Sequence, residues 1–514
     1  MGLAQRQDSV QVRISRFIVF IALIAVGSCR RSVPLGPLVV ALPAGVGSVL
    51  PNTTTQMASL SVLSNVYETL VDLDPRLGVR PGLADSWYTP DDVTWVFRLR
   101  EGVRLHDGKL LQSEDVVRSL EHARHDPASR RRGQLAEIAS IEAKDSSTVE
   151  VRTVRPLDTL ATRLSNVFVW AAAARPELPP AGTGPYRIGS WRSDGGAVLE
   201  AFEGYHRGPA RIAEVVFEVV PQPNDRLQRL REGSAQLAAD VVPAAARGGA
   251  TPRIVSRADG LRVSILTFDV ARERSPYASA GRNPFRDVRV RQAIALAIDR
   301  KALVSGVLAG RAAVAEQITT AQELGAYQAS VPSRPFDLAG ARRLLQSAGY
   351  GSGFEVVLDA ADDVDSRAVA GAIAVDLRRI GVSVRARHQS EAELARRIEA
   401  RDTALCLRSW TSETGDGRGS YECLLHTRAQ GLGLANAGGY SSPALDGMVR
   451  DAAAPLGSDQ RRMLLARLAA KVAIDVPLVP LYSMADVYAV VSRLWFEPRL
   501  DGQIRAAEMR WTAS

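Results

Sequence analysis

The chain has 514 residues, 46% of them hydrophobic and 23% charged. That composition is ordinary for a globular chain, so disorder is not the default, and the length allows about two to four domains. The net charge of +8 comes from 64 basic and 56 acidic residues. Lys109, Lys144, Lys301 and Lys471 are the only lysines, and the arginines are spread along the chain rather than gathered in one tract. Nucleic acid is therefore not an expected partner.

The first 29 residues read as a secretion signal. Arg6, Arg13 and Arg16 precede the apolar run Phe17 to Val26, and small Gly27 and Ser28 precede Cys29. The run is too short to stay in a bilayer as a permanent spanning helix. A short strand is expected from Leu38 to Leu42, and a helix from Leu60 to Leu70. Val93, Trp95, Phe97 and Leu99 alternate with more polar neighbours, which predicts a strand with one buried face. A second strand is expected at Val103 to Leu105, closed by the turn His106-Asp107-Gly108. Ser113 is expected to cap a helix, with Glu114 and Asp115 facing its positive end. The charged stretch around Ser129 to Arg132 reads as a solvated loop.

Gly182-Thr183-Gly184-Pro185-Tyr186 predicts a tight turn before a strand, Arg187 to Trp191. No G-x-G-x-x-G is present, so a dinucleotide site is rejected there. A short helix is expected from Asn224 to Gly233, and an amphipathic one from Val288 to Val304. Asp337 can cap a further helix that stops at Gly349. Phe354 to Leu358 reads as strand, Val369 to Ile380 as helix, and Val382 to Val384 as the start of another strand. The alternation predicts layered α/β structure. Ala404 to Leu407 is an apolar strand that opens into the acidic, glycine-containing loop Trp410 to Gly417. Such a strand end is a natural ligand edge.

Chemistry-bearing words are otherwise sparse. There is no C-x-x-C among Cys29, Cys406 and Cys423. Cys406 and Cys423 could pair in an oxidising compartment, or Cys406 could be a plain buried thiol. His122 and His125 can share a helix face, but H-E-x-x-H is absent and no thiolate or carboxylate is paired with them, so no metal is expected. With no G-x-S-x-G elbow and no P-loop, neither catalytic residues nor a cofactor are expected.

Three stretches together resemble the extracellular solute-binding proteins of the peptide/nickel class, family 5. They are Pro81 to Trp87, Thr94 to Gly108 and Glu114-Asp115-Val116, similar to the family's P-x-L-A-x-S-W, T-W-x-F-x-L-R-x-G-V-x-F-H-D-G and E-D-V. Leu105 replaces the usual Phe. Further matches are Asn65 to Leu70, Gly182 to Tyr186, and Asn283 to Lys301. The usual Leu-Asp-Pro before the first helix is absent, with Leu50-Pro51 in its place. Val26-Gly27-Ser28-Cys29 resembles a bacterial lipobox, which implies cleavage before Cys29 and lipidation of its thiol.

The resemblance implies a two-lobed α/β fold of the periplasmic-binding-protein kind (type II, large class) with a small third domain inserted. The implied boundaries are a signal peptide over 1–28, a first lobe over 29–65, 179–258 and 485–514, an inserted domain over 66–178, and a second lobe over 259–484. It implies a monomer, exported and anchored by lipid to a membrane. That monomer would take a peptide or other small solute between the lobes and hand it to an ABC permease with its ATPase. Peptide-binding members carry a W-x-x-D-x-x-D-P-like word in which the first acid pairs with the ligand's amine. Here the word begins at Trp410, so Glu413 takes that position, with Thr411, Ser412 and Asp416 beside it and Gly417 in place of Pro. Trp410 would wall the pocket or cap the core. Tyr440, in the word Asn436 to Pro443, would line the cleft or fill a turn. A sensing or docking protein of the same fold, and a secreted hydrolase, are the alternatives.

Overall fold

The structure is a computed structural model, and it describes residues 36–171, 179–242, 252–257, 261–319, 324–412, 417–429, 432–453 and 458–512. Three sheets organise it. The first has seven strands in the order Arg253–Arg257, Asp486–Val490, Leu237–Ala239, Leu38–Leu42, Glu214–Val219, Ala197–Ala201 and Tyr186–Trp191. Leu38–Leu42 runs parallel to both its neighbours. Leu38, Val40 and Ala41 are wholly buried, as expected for a strand covered on both faces. Helix Met57–Val66 packs on this sheet through Leu60, Leu63 and Val66.

The second sheet has six strands in the order Ala312–Val314, Leu478–Met484, Arg262–Phe268, Leu405–Thr411, Phe354–Ala361 and Val382–Gln389. Its last three strands are mutually parallel. They alternate in sequence with helices Val364–Arg378 and Glu391–Glu399, which makes the parallel part a wound α/β unit. The third sheet is four-stranded and antiparallel, ordered Ala84–Tyr88, Thr94–Leu99, Thr148–Thr153 and Ile138–Asp145. Helix Ser113–His125 covers it, with Val116, Leu120 and Ala123 packed on Phe97, Val149 and Val151.

The chain passes between the first two sheets twice, and the described residues flanking the two passages are paired with each other. One runs between Arg257 and Arg262. The other is Ala485, between the strands ending at Met484 and starting at Asp486. The ladders pair Arg257 with Asp486 on one side and Val263 with Ser483 on the other.

Several elements differ from expectation for local reasons. The first helix stops at Val66 instead of Leu70, because the N–H of Gly184 donates to the Val66 carbonyl at 2.9 Å and draws the chain out of the helix. Val103 to Leu105 forms only an isolated bridge between Arg104 and Leu110. The cap of helix Ser113–His125 is Gln112, in a capping box with Asp115, while the Ser113 hydroxyl donates to the Asp145 carbonyl. Asp299 breaks the long predicted helix after Val288–Ala297, since its side chain accepts from the N–H of Ala302 at 2.9 Å and starts a new turn. The stretch at 129–132 is not fully solvated: Ser129 and Arg131 are buried, and the Ser129 hydroxyl donates to the Ala123 carbonyl at 2.7 Å.

Candidate functional site

Strand Leu405–Thr411 sits in the middle of the second sheet, antiparallel to Arg262–Phe268 and parallel to Phe354–Ala361. Leu405, Cys406 and Leu407 are buried, and β-branched or apolar neighbours on both sides hold the strand in register. Its carboxyl end is paired residue for residue with the passage between sheets, Thr411 opposite Arg262. The N–H of Ser412 then donates to the Leu261 carbonyl at 3.2 Å. The next described element is helix Gly417–Leu425. The described residues that flank Glu413 and Asp416 are thus held at the carboxyl edge of parallel strands, beside the crossing to the first sheet. Crevices of that kind are where open α/β sheets bind ligands. Glu413 and Asp416 themselves lie outside the described residues, as does Cys29.

The other expected residues can be placed. Trp410 is half-buried, packs on the second-sheet core and donates its indole N–H to the Ser420 hydroxyl at 3.0 Å. Its indole therefore ties the strand end to the helix beyond the loop. Thr411 is half-buried and Ser412 is buried. Tyr440 belongs to the core with Tyr421, Leu445 and Leu465, and its hydroxyl donates to Asp475. The turn that carries it is closed by Asn436, whose side chain donates to the carbonyls of His426 and Tyr440 and accepts from the N–H of Tyr440. Gly438 is required there, since a Cβ would stand 2.1 Å from the Phe268 carbonyl oxygen.

Polar groups gather where the sheets meet. Asp240 follows strand Leu237–Ala239 with a positive φ of 55°. Its backbone carbonyl accepts from Arg226, a fully buried guanidinium that also binds the carbonyls of Ala239, Val220 and Pro221. Its carboxylate lies 3.7 Å from Arg262. Burial alone would lower the Arg262 guanidinium, but Asp240 and Asp486 outweigh it and hold it above its ordinary range. Asp486 is the converse case. Burial pushes its carboxyl from 3.8 up to about 6, with Asp240 and Asp501 adding to the rise and Arg262 and Arg257 opposing it. Across the passage, Arg311 makes a bidentate pair with Asp365 at 2.5 and 2.8 Å. Sequence reasoning singled out none of these groups. They are separated by up to some hundreds of residues, and no spacing rule links them.

The signature words of the sequence converge elsewhere. The His106 N–H donates to the Gly182 carbonyl at 2.8 Å, and its ring Nε2 lies 3.0 Å from the Gly184 carbonyl oxygen. Burial lowers the His106 imidazole, which favours the neutral ring this arrangement uses. Tyr67 donates to the Pro180 carbonyl at 2.9 Å, and Glu68 meets His206 at 3.0 Å and Tyr205 at 3.2 Å. A cavity of about 310 Å³ adjoins this joint. Its charges are largely paired internally, Asp72 with Arg80 and Arg505, and Glu508 with Arg80 and Arg499. The signature words are scaffold.

His122 and His125 pair with Asp126 and Glu121. No group of three His, Cys, Asp or Glu that could hold a metal occurs among the described residues. Cys406 and Cys423 are not joined in a disulfide, and burial pushes the Cys406 thiol up to about 12.

Two sheets joined by two neighbouring crossings, each with its own helices, are the frame of a two-lobed α/β protein. Residues 78–431 match the family model described as bacterial extracellular solute-binding proteins, family 5 Middle, and the chain belongs to that family. It is 24% identical over 437 residues to the glutathione-binding protein GsiB of Shigella flexneri, covering 81% of this chain and 82% of that protein. It is 24% identical over 459 residues to heme-binding protein A of Haemophilus influenzae, covering 81% of each. In structure it is similar to the ABC transporter-associated periplasmic binding protein DppA of Helicobacter pylori in complex with the peptide STSA. That comparison has a TM-score of 0.82 and 22% identity, over 93% of this chain and 98% of that one. The two-lobed fold expected from the sequence is the fold observed.

Proposed function

We propose that the protein captures an oligopeptide or similar amine-bearing solute between its lobes and delivers it to an ABC permease, with Glu413 facing the ligand's amine. The observation that supports this reading is the placement of the residues flanking positions 413–416. On one side Thr411 pairs with Arg262 and the Ser412 N–H donates to the Leu261 carbonyl, and on the other side helix Gly417–Leu425 begins. A carboxylate held there would give a charge-assisted bond to an ammonium group in a closed cleft. Family membership and relatives that bind peptide and glutathione support the same solute class.

The domain plan follows the sheets. The seven-stranded sheet draws its strands from 38–42, 186–257 and 486–490, the six-stranded sheet from 262–484, and the four-stranded sheet from 84–153. Those groupings support a discontinuous first lobe, a second lobe and an inserted domain. Export and a lipid on Cys29 complete the reading. A sensing or docking role without transport remains the alternative, separable by whether permease and ATPase genes adjoin this one. The named relatives are binding proteins, which supports capture without catalysis.

Removing one partner of a buried charge pair costs about 3–5 kcal/mol. At about 1.4 kcal/mol per tenfold, Glu413→Gln should weaken peptide binding at least about a hundredfold while leaving the melting temperature nearly unchanged. Calorimetric titration against a peptide library is the test. Equal affinities would return Glu413 to the surface, and no binding of any peptide by the wild type would exclude the solute class.

A further inference from the structure

Helix Gly417–Leu425 does more than end the ligand loop. Arg418 and Glu422, one turn apart, face the four-stranded unit. There they join Glu137, Arg155 and Arg163 in one charge network. The Arg163 Nη2 lies 3.2 Å from Oε2 of both Glu137 and Glu422. The Arg418 Nη2 lies 2.5 Å from Glu422 and 3.5 Å from Glu137. Arg155 closes on Glu137 from the other side. The side chains of Glu137, Arg163, Arg418 and Glu422 are 9%, 7%, 0% and 6% exposed. Burial would raise the Glu422 carboxyl, but Arg163, Arg418 and Arg155 outweigh it and hold it below the usual carboxylate range.

The network joins parts of the chain that belong to different sheets. Glu137, Arg155 and Arg163 sit around the four-stranded sheet, and Arg418 and Glu422 pack with the second-sheet core helices, where Arg418 also donates to the Val449 carbonyl at 3.3 Å. Two further pairs span the same boundary, Arg461 with Asp158 and the exposed pair Arg130 with Glu399. The apolar content of this boundary is small by contrast. Ala453 is the single buried residue from beyond position 169 in the apolar core of the four-stranded unit, among the described residues.

That balance matters for what the contact can do. An apolar boundary would be permanent. A buried ion network gains little net free energy over its separated, hydrated members, since desolvation cancels most of the Coulombic attraction. It is therefore specific when closed and separable when open. We propose that Glu137, Arg163, Arg418 and Glu422 form a closure clasp. It holds the four-stranded unit, through the helix that begins at Gly417, against the second lobe in the closed form. In this role Arg163 acts on the ligand through Glu422 and Arg418, and is a positioning residue. The inference rests on the reading that solute binds between the lobes, and it adds the device that completes the closed form.

The test needs no ligand for its first arm. Single cysteines placed at exposed positions of the four-stranded unit and of the second lobe, in a Cys406→Ala, Cys423→Ser background of the mature chain, carry a fluorophore pair, and single-molecule energy transfer reads the distance between them. Glu422→Gln and Arg163→Met should each shift the ligand-free population toward longer distances. The double variant should do less than the sum of the two single variants, because the Arg163–Glu422 contact is lost in both. Circular dichroism and thermal melts check that each variant folds, and Glu422→Gln is the conservative variant should Arg163→Met fail. The second arm titrates the peptide that binds the wild type. Both variants should bind it about tenfold or more weakly, with the loss in the off-rate, since the clasp acts after encounter. Unchanged distance distributions in folded Glu422→Gln would overturn the clasp. Distances that shift while the wild type binds no peptide would uphold the clasp and sink only the peptide reading.

Discussion

Asp486 lies with Asp240 and Asp501 around Arg262 and Arg257, and its carboxyl is raised from 3.8 to about 6. A carboxyl that holds its proton more tightly in the folded chain than in the unfolded one makes folding less favourable as pH rises. The penalty is absent below the unfolded value near 3.8, grows between there and about 6, and is complete above. Asp486→Asn, which mimics the neutral acid, should therefore raise the melting temperature at pH 8, and the gain should vanish at pH 3.5. Thermal melts of both proteins across that range check it. A gain that persists at low pH would mean the substitution acts through packing. Residue-scale features of this kind were the least legible in the sequence. Arg131 looks like one charge in a solvated run, yet it is buried, and only the path of the loop past helix Ser113–His125 puts it there. Tyr440 was readable as a turn residue because Asn436 and two glycines surround it, but the hydroxyl's partner, Asp475, lies 35 positions away.

At the scale of elements, the sequence was most informative about where strands and helices are and least about where they stop. The helix from Met57 carries on its apolar period to Leu70 in the sequence, and nothing local ends it. A loop more than a hundred residues later does, by approaching Val66 so closely that no side chain fits. A Cβ on Gly184 would stand 2.6 Å from the Val66 carbonyl carbon and 2.7 Å from the Asn65 and Val66 oxygens, all of them backbone atoms that cannot swing away. Gly184→Ala should thus destabilise the fold by about 1–3 kcal/mol, toward the upper end because only backbone atoms stand in the way. Chemical denaturation would show it as a lower midpoint. Gly208→Ala, a positive-φ glycine with open space around it, should cost only the smaller backbone penalty of about 1 kcal/mol. Equal losses at the two positions would show that the close approach at Gly184 is relieved by movement.

For the molecule as a whole, composition pointed to a folded chain and away from a nucleic-acid footprint, but order in the sheets had to come from resemblance. Leu237 pairs with Val490 and Val40 with Leu237, and no periodicity reports that residues so distant share a ladder. Export is a property of this scale too. The run Phe17 to Val26 followed by Val26-Gly27-Ser28-Cys29 motivates a lipid anchor, and no helix among the described residues is long and apolar enough to cross a membrane. Cys29→Ala should move the protein from the membrane fraction to the soluble one. A variant that stays with the membrane, together with a wild type that never takes up an acyl label, would refute the anchor.

The two neighbouring passages between the first and second sheets have a mechanical consequence. The pairs Arg257–Asp486 and Val263–Ser483 bond the two crossing chains to each other on either side of the boundary, and chains bonded in that way bend together more easily than one slides past the other. Relative movement of the lobes is therefore expected to be a swing across these chains and not a slide along them. Solutes of different length would then be accommodated by side chains and water inside the cleft more than by a sideways shift of one lobe.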